Sequence, residues 1–252
     1  MNPLIKMFHL TPFEKNINQK ANINWDDIIA YVNDLAVGGV AIADASDGWV
    51  DFPVIPTYVS ATSIKFSGVD YTGIIQKGDK LYIDQSGNKY FYITAVTFST
   101  DTTVTVTGGS DYTVANAVIV NPQFSKQGSP QGFPLRFNWS PTFSGFSASP
   151  SVAYAQFSIT GGFVHAFFRT NGSGTSNSTS FTMSLPITAG IDDDNSAVRF
   201  FVVQDNGTVS GTPASGIVTG STLTLQRLIA NNTSWTASGT KQVFGFSMSY
   251  PF

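Results

Sequence analysis

From Thr57 onward, apolar residues recur at every second position in short runs. Ile64 and Phe66, Leu81 and Ile83, Phe91 and Ile93, and Val104 and Val106 each mark one apolar face of a predicted strand. Turn-forming residues separate the runs, at Lys77-Gly78-Asp79, at Asp84-Gln85-Ser86-Gly87-Asn88 and at Gly108-Gly109. Short strands punctuated in this way predict a small antiparallel barrel or sandwich over 57–121. Tyr82, Tyr90 and Tyr92 fall in neighbouring strands, the last two on one face. Three roles suit them: stacking across strands, a subunit contact, or a carbohydrate platform.

The alternation resumes near Arg136. Phe157 and Ile159 precede Gly161-Gly162; Val164, Ala166 and Phe168 then share one face, with Phe163, His165 and Phe167 on the other. Phe181, Met183 and Leu185 follow, then Val198, Phe200 and Val202, then Leu223 and Leu225, and finally Phe244, Phe246, Met248 and Tyr250. Asn206-Gly207 is a hairpin-turn signal. About seven strands predict a C-terminal β-sandwich of jelly-roll type over 136–252. Between the two regions, 122–135 carries Pro122, Gly128, Pro130, Gly132 and Pro134, which predicts a Pro/Gly linker.

Residues 1–56 follow neither pattern. Phe8, Leu10 and Phe13 are isolated apolar points on an arm that would dock on a neighbour. One helix is predicted over about 24–37, with Asn24 as cap and Asp27 near the positive end of the helix dipole. Trp25, Ile28, Ile29, Val32, Leu35 and Ala36 form its apolar stripe, and Gly38-Gly39 ends it. The fold class expected is therefore mainly β: an N-terminal arm with one short helix, a small antiparallel domain, and a sandwich.

Composition narrows the function. The chain has 252 residues, with 28 Ser and 27 Thr but a single Glu, Glu14, which suits strands and small-residue turns. Thirteen Lys and Arg are scattered under a net charge of -3, without the basic stripe of a nucleic-acid binder. No apolar run reaches the ~18 residues of a membrane span, so no membrane insertion is expected. The N-terminus lacks the pattern of a secretory signal. Cysteine is absent. Apolar residues on both faces of several strands, with 21 Phe, 9 Tyr and 4 Trp, exceed the needs of one small sandwich. Burial against sister subunits would accommodate them, and an obligate homo-oligomer is expected.

Two stretches resemble structural proteins of tailed bacteriophages. The first runs through Tyr58-Val59-Ser60-Ala61-Thr62-Ser63, Phe66, Asp70-Tyr71-Thr72 and Lys77-Gly78-Asp79-Lys80. It continues through Tyr90, Tyr92-Ile93, Thr103–Thr107 and Asp111-Tyr112-Thr113, and exits at Gly132-Phe133-Pro134. The second comprises Trp139-Ser140-Pro141-Thr142-Phe143, Phe163-Val164-His165-Ala166-Phe167-Phe168-Arg169, Asn171-Gly172, Gly174-Thr175-Ser176-Asn177 and Phe181–Ile187. Together they cover a little over half the chain. The resemblance implies a virion protein assembled in the host cytoplasm, often a trimer, whose N-terminal part attaches to other virion proteins. Phe8, Leu10, Phe13, Trp25, Ile28 and Val32 would then make the anchoring and oligomer contacts. Tail-fibre, adaptor and head-fibre placements all fit it, and it supplies no catalytic motif.

The residues themselves point away from catalysis, and no cofactor is expected. His9 and His165 are the sole histidines; a metal site would need both, and His165 reads better as a strand residue hydrogen-bonded to backbone or water. There is no Gly-x-Ser-x-Gly elbow, and no pair of carboxylates is placed for glycoside cleavage. Asp192-Asp193-Asp194 could offer oxygen ligands to calcium, but lacks EF-hand spacing and reads better as a solvated turn. Asn171 and Asn177 belong to a polar loop, Asn171 to Ser178, suited to contacting a host-surface receptor. Trp235, in another polar stretch, would stack on a sugar of a host glycan, anchor a partner, or fold back as a lid on the sandwich.

Overall fold

The computed structural model describes residues 47–190, 201–210, 214–227 and 234–252. Contacts divide the chain into two compact units, Met1–Trp49 and Val50–Phe252, and all strands among the described residues lie in the second. The helix expected over 24–37 and its Trp25, Ile28 and Val32, the arm residues Phe8, Leu10 and Phe13, and Asp192, Asp193 and Asp194 lie outside the described residues. The protein is a mainly antiparallel β-sheet protein built from several small sheets.

Seven strands form the first sheet. They are β1 (Val50–Asp51), β2 (Thr57–Ser60), β3 (Ser63–Ser67), β4 (Lys80–Asp84), β5 (Asn88–Phe98), β6 (Asp101–Thr107) and β7 (Val120–Ser125), ordered β1-β7-β4-β5-β6-β3-β2. The period of two explains them: Ile64, Phe66, Leu81, Ile83, Phe91, Ile93, Val104 and Val106 are buried in one core. The intervening Thr103, Thr105 and Thr107 of β6 stay half-buried.

A sheet with one apolar face needs a cover, and this one supplies its own. The Phe52 ring, just beyond β1, lies 4.9 Å from Phe124 of β7 and 4.5 Å from Phe66 of β3. Laid flat, β7 and β3 would stand about 19 Å apart, four strand spacings. One ring can touch both because the sheet curls into a half-barrel around these side chains.

Two boundaries differ from the sequence reading. Val50–Asp51, assigned to the arm, pair with β7, and Val120–Ser125 run into the expected linker as a strand between β1 and β4. Pro122 cannot donate a ladder hydrogen bond. Its carbonyl accepts from the Phe52 N–H at 2.9 Å, and the β4–β7 register shifts between Tyr82 and Asp84 beside it.

Thirteen further strands follow among the described residues. The first of them are β8 (Phe137–Asn138), β9 (Phe143–Ser144), β10 (Phe146–Ala148), β11 (Val152–Thr160), β12 (Phe163–Thr170), β13 (Gly174–Ser176) and β14 (Thr182–Ser184). The rest are β15 (Val203–Asp205), β16 (Thr208–Val209), β17 (Ser215–Thr219), β18 (Thr222–Gln226), β19 (Thr240–Val243) and β20 (Phe246–Pro251). They form three sheets, ordered β20-β12-β11-β8, β17-β18-β14-β9 and β10-β13-β19-β15-β16. Asn206 and Gly207 take φ of 49° and 78°, the positive pair that a two-residue hairpin turn between β15 and β16 requires.

One register is opposite to expectation. Val202, read as facing inward with Val198 and Phe200, is 50% exposed, while Phe201 and Val203 are buried. Phe201 packs 5.2 Å from Phe246 and bridges to Ala214. Apolar residues fill 200–203 without a break, so alternation alone does not select a face.

The first sheet packs on the second. Tyr92 lies 5.0 Å from Phe133 and 5.4 Å from Phe137, ring centre to ring centre. Beside them, the Asp111 carboxylate accepts from the Asn138 backbone N–H at 2.7 Å and from its side-chain amide at 2.8 Å.

Candidate functional site

Strand β12 buries Val164, Ala166 and Phe168, which sends Phe163, His165, Phe167 and Arg169 to the opposite face. Register then fixes their neighbours: β11 sets Thr160, Ser158, Gln156 and Tyr154 opposite them in turn. On the other side, β20 sets Pro251, Ser249 and Ser247 against Phe163, His165 and Phe167. Asn138 of β8 pairs with Gln156. Because Phe137 points into the core, Arg136 and Asn138 flank it on the outward side.

These rows frame an open groove of about 600 Å³, lined by Leu135, Arg136, Gln156, Ser158, His165 and Phe167. The Arg136 guanidinium carbon sits 4.0 Å from the centre of the Phe167 ring, within cation–π range. His165 Nδ1 lies 2.7 Å from Ser249 Oγ, so Nε2 is left for a ligand. The Gln156 amide donates to Asn138 Oδ1 at 3.2 Å. Asp111, by holding Asn138, therefore positions Gln156 at one remove. The ion pairs among the described residues are Lys65–Asp101 and Arg227–Asp205, and neither reaches the groove.

The arrangement offers hydrogen-bond donors and acceptors, a cation over an aromatic ring and further aromatic surface. The His165–Ser249 contact brings a hydroxyl to an imidazole, but no carboxylate among the described residues orients that ring as a nucleophilic triad would require. Among the described residues, no three His, Cys, Asp or Glu side chains come together as metal ligands would.

The receptor-contact reading of Trp235 is corrected. It is 3% exposed, its indole N–H donates to the Leu225 carbonyl at 2.6 Å, and its ring lies 5.2 Å from Phe181. The side chain folds back into the core and offers no face to a sugar. Asn171 and Asn177 are exposed on either side of β13, their backbone N–H groups bonded to Ser151 and Gly145 carbonyls. Neither lines the groove. His165 is a hydrogen-bonded strand residue as expected, but its partner is the Ser249 side-chain hydroxyl rather than backbone or water.

Arg136, Gln156 and Ser158 were not singled out by the sequence reading. The available signal was the second face of β12, where aromatic residues flank a histidine although the first face already fills the core. No family model, curated protein or solved structure matches the chain.

Proposed function

We propose that this chain is a structural protein of a tailed-phage virion, a tail-associated fibre or adaptor whose C-terminal β region contacts the host surface. The observation that carries the binding role is the outward face of β11, β12 and β20, where Arg136, Gln156, His165 and Phe167 converge on one groove. The resemblance of the two stretches within 57–187 supplies the virion setting. In this reading the arm and helix of residues 1–56 anchor the protein, and the C-terminal sheets close as a jelly-roll-type sandwich. Subunits associate as a trimer, and the groove, repeated on each, gains avidity from the array. The chain acts by binding rather than by catalysis.

A second reading has its own observation. Val118 and Leu135 are 80% and 83% exposed, large apolar side chains that a neighbouring virion protein would cover. That favours a head-fibre, capsid-decoration or connector protein with an architectural role.

Mass spectrometry of gradient-purified, salt-washed particles tests the shared claim. The chain is expected at a fixed copy number per particle. Its absence from washed and disrupted particles would overturn both readings.

A further inference from the structure

We infer that the Arg136 groove binds an acidic saccharide, a sugar bearing a carboxylate. The inference rests on the host-contact reading for the origin of its ligand. Arg136 is exposed and has no carboxylate partner among the described residues. The guanidinium carbon sits 4.0 Å from the Phe167 ring centre, which favours one placement of the side chain over the groove. A guanidinium matches a carboxylate in a two-bond fork. Arg169, on the same face of β12, adds a second positive charge, and the described residues lining the groove include no carboxylate.

The rest of the face suits a sugar. Gln156, Ser158 and His165 Nε2 present donors and acceptors for ring hydroxyls. Tyr154 and Phe163, 44% and 47% exposed, stand at opposite ends of the outward column and offer apolar surface to C–H faces. Six residues of strand separate Tyr154 from Thr160, the partner of Phe163, a reach of about 20 Å that exceeds one sugar ring. The groove volume of about 600 Å³ lies within the ~300–1,000 Å³ range of small-ligand sites. A second copy packing like face on like face would bury Arg136 and Arg169 against each other without a counter-charge, which is costly.

The test is titration calorimetry of the full chain with tri-galacturonate, its neutral methyl ester and inorganic phosphate. Tri-galacturonate is expected to bind, the ester at least about tenfold more weakly, and Arg136→Ala to lose about tenfold. Gln156→Ala, which keeps the charge, should weaken acid and ester by the same factor, and Asn177→Ala should change neither. The inference is overturned by no heat at about 10 mM tri-galacturonate, by equal binding of acid and ester, or by phosphate competing as well as the sugar acid. Unchanged affinity in both Arg136→Ala and Gln156→Ala would overturn it too. So would a changed subunit number for Arg136→Asp in light scattering, which would make the face a contact between copies. Failure of the virion reading is separate: absence from particles leaves tri-galacturonate binding by the purified chain intact.

Discussion

The Lys241 ammonium lies 5.7 Å from the centre of the Trp235 indole, and both side chains are buried. It donates to the carbonyls of Ser178 at 2.6 Å, Ser180 at 2.7 Å and Gly145 at 3.3 Å, with the Phe146 ring 5.4 Å away. An ammonium withdrawn from water is costly unless its hydration is replaced. Three carbonyls and two ring faces replace it here, and in doing so tie β19 to two separate turns.

Lys241→Met should therefore be destabilising. It keeps much of the side-chain volume but leaves three carbonyls without their donor, a loss of about 1–3 kcal/mol after the ammonium's own desolvation cost is removed. Urea unfolding followed by tryptophan emission measures it. A loss below about 1 kcal/mol would mean that these carbonyls find other partners.

Trp235 is held in place by a second buried polar group. Asp205 accepts from the Thr236 hydroxyl at 2.9 Å and from its backbone N–H at 3.2 Å, and pairs with Arg227. Asp205→Ala should cost about 3 kcal/mol and loosen the chain beside the indole. Acrylamide should then quench one more tryptophan than in the wild type. Unchanged quenching would show that the contacts with Phe181 and Leu225 suffice to hold the ring.

Alkaline stability should depend on Tyr250. Burial raises its phenol pKa far above the ordinary value, while its hydroxyl donates to the Ile187 carbonyl at 2.8 Å. An unfolded tyrosine ionises near pH 10. Below that pH both states hold the proton and the contribution is complete. Above it the unfolded chain loses the proton while the folded chain keeps it, so stability falls as pH rises. The wild-type urea midpoint should drop more steeply between about pH 10 and 11 than that of Tyr250→Phe. Parallel slopes would contradict the assignment.

The strands were legible wherever alternation was clean. Ile64, Phe66, Leu81, Ile83, Phe91 and Ile93 face one core because a period of two leaves a strand one way to bury them. Val202 was misplaced because the apolar run across 200–203 erases that period. β7 was hidden by Pro122, whose missing donor is accommodated by an irregular register that the sequence does not announce. The site was less legible than the fold. Arg136 follows a Pro/Gly stretch that reads as linker, and its Phe167 partner reaches it through strand pairing. Trp235 sits in a polar loop whose anchor, Asp205, is far away in sequence.

Gly109 takes φ of +61°, and a Cβ there would meet the Asn138 carbonyl oxygen at 2.0 Å. That backbone approach seats the first sheet on β8, where Ser110 N–H also donates to the same oxygen at 2.8 Å. Gly109→Ala should destabilise the chain by at least about 2 kcal/mol, through strain at positive φ and displacement of β8. Thermal unfolding reads it, and a Tm within a degree or so of wild type would contradict the close approach.

The most direct measurement for the central claim is gold-labelled antibody binding to intact particles, viewed by negative-stain microscopy. A tail-associated host-contact protein predicts label confined to the tail end, with label lost when antibody is preabsorbed with the purified chain. Label spread over the capsid would contradict the tail placement in favour of the architectural reading, and unlabelled particles that yield no chain on disruption would contradict the virion assignment.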